Sequence, residues 1–169
     1  SALNSNQNAS GTVAVGYRAG YGGNFYGNQG STYIGHQTGY FSDNNSDYNT
    51  FLGFQAGYNN TTGSYNLAIG QNVNLPSNTG TQQLNIGNVL YGTGIYAGST
   101  LSSNPVGGAK IGIGTTSPYA TLSVVGQVVG SYFTATTSTA SIFPYASTTA
   151  LTVSSSAFFP SNGVWNSSG

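Results

Sequence analysis

Between residues 13 and 87 a short triplet closes on glycine five times, and the spacing of those glycines constrains the fold more than any other feature. The tetrads are Val13-Ala14-Val15-Gly16, Thr32-Tyr33-Ile34-Gly35, Thr50-Phe51-Leu52-Gly53, Leu67-Ala68-Ile69-Gly70 and Leu84-Asn85-Ile86-Gly87. The third residue is always Val, Ile or Leu, and the glycines at 16, 35, 53, 70 and 87 are 19, 18, 17 and 17 residues apart. Such a period is too short for a helical-hairpin repeat, and the apolar alternation at 13/15, 67/69 and 84/86 is that of a strand. The pattern predicts an all-β chain whose repeats form a parallel β-roll or solenoid of about five 17–19-residue coils. Stacked at about 4.8 Å, five coils make a rod roughly 24 Å long. Gly16, Gly35, Gly53, Gly70 and Gly87 are expected to supply a positive φ or a close backbone approach.

Three copies carry a second glycine followed by tyrosine, at Gly20-Tyr21, Gly39-Tyr40 and Gly57-Tyr58. Tyr21, Tyr40 and Tyr58 therefore recur at one phase of the coil and are expected to form a continuous seam, read first as packing between neighbouring chains. Polar runs such as 42–47 and 59–64 separate the copies as turns, and their stacking predicts side-chain ladders along the rod.

The run Asn49-Thr50-Phe51-Leu52-Gly53-Phe54-Gln55-Ala56-Gly57-Tyr58 and its sister copies resemble the repeat regions of phage-type tail fibres and related bacterial surface fibre proteins. They also resemble the head repeats of trimeric autotransporter adhesins. The resemblance spans about residues 10–98 and implies a left-handed parallel roll with three chains side by side. Further on, Ile111-Gly112-Ile113-Gly114-Thr115-Thr116-Ser117-Pro118 resembles a linker of tail fibres and giant surface proteins that introduces a Leu-x-Val strand.

The second half changes character. Pro118-Tyr119-Ala120 returns as Pro144-Tyr145-Ala146, Leu122-Ser123-Val124 as Leu151-Thr152-Val153, and Tyr132-Phe133 as Phe158-Phe159. Extended strands are expected around 121–134 and 149–159. The domain reading is an N-terminal extension over 1–9, the repetitive roll over 10–98, a Gly/Ser/Thr-rich junction over 99–117 and a strand-rich assembly segment over 118–169. In that last segment Leu151, Val153, Phe158, Phe159 and Trp165 are the candidates for pairing with another chain.

Composition decides what such a rod can do. The 169 residues include two basic side chains, Arg18 and Lys110, and two acidic ones, Asp43 and Asp47, while 13 Tyr and 8 Phe supply large packing groups. Two cations 92 positions apart build no basic patch, so nucleic acid is not an expected partner. No stretch approaches the ~20 apolar residues of a membrane span, and the N-terminus lacks the charged and apolar regions of a secretory signal. The chain reads as mature after processing or as a piece of something longer. Without cysteine it has neither disulfides nor thiolate metal sites.

Catalytic chemistry has almost nothing to work with. Asp43 and Asp47 are the sole carboxylate side chains and fall in a turn, and His36 is the sole histidine, with no Gly-x-Ser-x-Gly motif to accompany it. Asp43-Asn44-Asn45-Ser46-Asp47 starts like a calcium loop but has Tyr48 and Phe54 where that loop needs Gly and Glu. Sequons beginning at Asn8, Asn44, Asn59, Asn60 and Asn166 only permit glycosylation. The expectation is a non-enzymatic structural protein without cofactor or metal. It would be a subunit of an extracellular or cell- or virion-surface fibre whose partners are copies of itself, as a homotrimer or polymer. The rival is a receptor-binding adhesin or tail fibre that recognises surface glycans through its tyrosine rows.

Overall fold

A computed structural model describes residues 1–5, 9–22, 28–43, 45–95 and 106–131. The chain divides into a unit Ser1–Val129 and a unit Gly130–Gly169. Of the second, only residues 130 and 131 are described, so Leu151, Val153, Phe158, Phe159 and Trp165 lie outside the described residues.

The first unit is all-β among its described residues. Each tetrad supplies one short strand: β1 (Val13–Val15), β2 (Thr32–Ile34), β3 (Thr50–Leu52), β4 (Leu67–Ile69) and β5 (Gln83–Ile86). These five pair in parallel, each with the next, the third residue of each tetrad in register with the next: Val15 with Ile34, Leu52, Ile69 and Ile86 in turn. The chain is thus a parallel β-solenoid of about four turns.

Why the glycines recur is visible in the stacking. Gly16, Gly35, Gly53 and Gly70 have φ between 127° and 138°, which a side chain disfavours. A Cβ on Gly16, Gly35 or Gly53 would also run into the carbonyl of the glycine one coil on, so both expected reasons for this column hold there. The second glycine has a different cause. A Cβ at Gly20 or Gly39 would lie 2.6 Å from the Tyr33 ring, and one at Gly57 would overlap the Phe51 ring. The fourth coil carries Ala68 in place of an aromatic ring and Asn74 in place of the glycine, which explains why this motif stops after three copies.

The core is one residue wide on each side. Tyr33, Phe51 and Ala68 point inward from the strand centres and meet Ala19, Ala56, Val73 and Leu75 from the opposite wall. A polar ladder runs beside it at the position before each strand triplet. The Ser31 N–H donates to Thr12 Oγ1 at 3.3 Å, Asn49 N–H to Ser31 Oγ at 3.1 Å, Asn66 N–H to Asn49 Oδ1 at 2.9 Å and Gln83 N–H to Asn66 Oδ1 at 2.8 Å. This ladder is not the expected one of side-chain amides in the polar runs: it links backbone to side chain inside the coil, with Ser31, Asn49, Asn66 and Gln83 all buried.

Two boundaries differ from the sequence reading. Residues 1–5 dock as a half coil, with Leu3 N–H donating to Ala19 O and Ser5 N–H to Tyr21 O, as Gly20 does to Thr38 O and Gly22 to Tyr40 O one coil on. At the other end the parallel stack stops at Ile86 rather than continuing to 98. Gly87 and Asn88 take φ of 61° and 58°, and the Asn88 N–H and side chain bond Asn85, which reverses the chain into an antiparallel hairpin. Strand β6 (Leu90–Thr93) pairs back on β5, β7 (Lys110–Ile113) pairs antiparallel with β6, and β8 (Leu122–Val124) pairs parallel with β7. The stretch read as a junction therefore contributes β7, and the Leu-x-Val strand forms as β8. The strands lie in the sheet in sequence order, β1 to β8.

Candidate functional site

Paired residues in a sheet share a face, so the register assigns every strand position to the inside or the outside. The strand centres, from Ala14 and Tyr33 through to Gly112 and Ser123, line the inner face. The residue after each centre in β1–β5 lies outside, as Val15, Ile34, Leu52, Ile69 and Ile86, and this outer row continues through Leu90 of β6, Ile113 of β7 and Val124 of β8. All eight are Val, Ile or Leu. Val15, Ile34, Leu52 and Ile113 keep between 39 and 58 % of their surface exposed. A parallel row on the same face adds Val13, Leu67, Ile111 and Leu122. Eight strands at about 4.8 Å make this apolar strip roughly 38 Å long, on the scale of the patches that mark interaction sites.

Sequence reasoning used these residues to recognise strands but did not see that they face away from the core. The triplets alone fit either orientation: Tyr33, Phe51 and Asn85 are each bracketed by apolar or Thr neighbours, and only the register within the coil shows which side lines it.

Beside this strip, aromatic side chains stack along the rod. Tyr21 lies on Tyr40, and Tyr40 on Tyr58, both pairs with ring centroids 5.0 Å apart and interplanar angles of 4° and 13°. Phe41 meets Tyr40 and Tyr58 edge-on. The Tyr21–Tyr40–Tyr58 seam is therefore formed within one chain. A second column, one position past the glycine, joins Tyr17, His36 and Phe54 at 5.3 and 5.1 Å. Arg18 lies over Tyr17 and Tyr21 at 5.2 and 5.3 Å, bridging the two columns.

The polar residues weighed for chemistry are occupied structurally. His36 is sandwiched between Tyr17 and Phe54. The Asp47 carboxylate accepts the Gln29 N–H at 2.9 Å, tying two coils together. Among the described residues, no three His, Cys, Asp or Glu side chains gather as metal ligands would. Tyr33 is fully buried, and burial raises its pKa from 10.0, opposed by the neighbouring side chains of Ser31, Ser42, Ser46 and Asn49. Its hydroxyl makes no well-formed hydrogen bond.

No helix among the described residues is long and apolar enough to cross a membrane. No family model, curated protein or solved structure matches the chain.

Proposed function

We propose that the chain is a structural subunit of an extracellular self-assembling fibre or filament, held to copies of itself through the outer face of its sheet. The observation that carries this reading is the unbroken outer row from Val15 to Val124, apolar on every one of eight strands. Water exposure of such a strip is costly at about 25 cal/mol per Å², and a second identical strip matches its strand spacing rung for rung. Four formal charges in 169 residues leave little repulsion to keep copies apart. Closed trimers and open polymers both use such a face.

A cell- or virion-surface location fits this role, as does an absence of catalysis, since the titratable groups are few and serve packing. Glycan recognition is the weaker reading. Sugars stack on ring faces, and in the tyrosine column those faces are turned to one another, leaving mainly ring edges outward.

The test replaces Ile34 and Leu52 together by lysine. Both are partly exposed, so the coil itself tolerates the change. Sedimentation velocity is expected to show large assemblies for the parent chain and markedly smaller ones for Ile34→Lys/Leu52→Lys, with unchanged circular dichroism. Equal assembly by both chains would remove the outer face from the account. Selective binding on a glycan array would favour the adhesin instead.

A further inference from the structure

Among the described residues, the outer strands of the sheet, β1 and β8, each have one side unpaired within it. Their polarity comes from the pairing. β1 to β5 run one way, β6 runs back, β7 returns, and β8 is parallel to β7, so β8 and β1 point in the same direction.

The free backbone groups also alternate in the required sense. Within the stack, the N–H at the first position of a strand triplet donates to the following coil, as Val13 does to Ser31 O and Thr50 to Asn66 O. The N–H after the triplet donates to the preceding coil, as Gly53 does to Ile34 O and Gly70 to Leu52 O. At the β7–β8 join the same rule holds, with Ile111 N–H donating to Thr121 O and Val125 N–H to Ile113 O. By this alternation the Ala14 and Gly16 N–H groups face out of the β1 end, and those of Leu122 and Val124 face out of the β8 end.

Neither terminal strand carries the charges or prolines that shield sheet edges in soluble proteins. Residues 1–5 cover the turn side of the first coil through Ala19 and Tyr21, yet their hydrogen bonds leave the strand side at Val13–Val15 uncovered.

Resting on the assembly role above, we propose that copies join end to end, β8 of one pairing in parallel with β1 of the next as though one solenoid continued. In that register Leu122 lies beside Val13, Ser123 beside Ala14 and Val124 beside Val15. Ser123 and Ala14 then continue the inner row, and Val124 and Val15 carry the outer apolar row across the joint. The Leu122 N–H meets Thr12 O, and the Gly16 N–H meets Val124 O, repeating the bonds of the internal coils. Because the two surfaces differ, the contact is heterologous and propagates as a filament rather than closing as a pair.

The absence of cysteine makes the joint testable by crosslinking. Residues in register on adjacent strands are about 4.8 Å apart, inside the roughly 4.4–6.8 Å that a disulfide spans. Val15 and Val124 of one chain are separated by seven strand spacings, about 34 Å, so they cannot bridge within a chain. On mild oxidation, an equimolar mixture of Val15→Cys and Val124→Cys chains is expected to give a disulfide dimer, with little from either alone. The double variant is expected to give a ladder of covalent multimers on a denaturing gel. Homodimers from Val15→Cys alone, with no mixed product, would overturn end-to-end pairing in favour of face-to-face packing and leave the assembly role standing. Assemblies on sizing without any crosslink would likewise overturn it. Monomers throughout would overturn both.

Discussion

At Gly53 two requirements coincide: φ is 128°, and a Cβ would lie 2.5 Å from the Gly70 carbonyl oxygen. Valine satisfies neither, since β-branched residues avoid positive φ and the obstacle is backbone. Gly53→Val is expected to cost on the order of 3 kcal/mol or to block folding, read as a lowered thermal midpoint; unchanged melting would contradict the stacking. Tyr33 sets a different limit. Its pKa is raised by burial, so the unfolded chain releases the phenolic proton near pH 10.0 while the folded chain holds it. Its contribution is thus intact below pH 10 and lost as pH climbs through the folded value. Tyr33→Phe is expected to move the alkaline unfolding midpoint upward, and an unmoved midpoint would mean that the exposed tyrosines or the backbone govern the transition. That Tyr33 is buried was not legible in the sequence, where Tyr21, Tyr40, Tyr58 and Tyr33 look alike. Only the two-residue alternation within Thr32-Tyr33-Ile34 separates it, and that alternation does not say which side is the inside.

Among the elements, the coil repeats were the most legible because their cause is local: a triplet, a glycine and a turn recur before any tertiary contact is considered. The reversal after β5 was not, because Leu84-Asn85-Ile86-Gly87 matches the earlier tetrads and only the residues beyond it differ. Asn88 and Val89 replace the segment that carries a second glycine and a tyrosine in the first three coils, and the Asn85–Asn88 pair then pins a hairpin. The ladder position was legible only as a polar site. Its energetic role comes from burial, since Asn49 Nδ2 donates to Ser46 Oγ and Gly63 O while Asn49 Oδ1 accepts the Asn66 N–H. Asn49→Leu leaves the Asn66 N–H without its acceptor, at about 1–3 kcal/mol, while the Gly63 carbonyl keeps Asn60 Nδ2 and Ser46 Oγ. Chemical denaturation is expected to show a loss of roughly 1–3 kcal/mol, against less than about 0.5 kcal/mol for Asn59→Ala at an exposed turn. Equal effects at the two sites would show that the ladder adds nothing beyond ordinary turn chemistry.

For the whole molecule, the narrow core and the apolar outer face belong to one design. A coil with one inward side chain per strand buries little apolar area for its length, and the eight-strand outer strip leaves Val15, Ile34, Leu52 and Ile113 partly exposed. The composition raises the expectation of self-association, through its four charges and many aromatics, but the proposed geometry of association rests on the register of all eight strands. Electron microscopy of the purified chain, at low and at molar salt, separates a filament subunit from a solitary chain. Uniform filaments are expected in both conditions, with a repeat of about 4.8 Å along their axis in fibre diffraction, if burial and backbone pairing rather than charge hold the subunits as proposed. Isolated particles of single-chain size at every concentration would contradict the proposal.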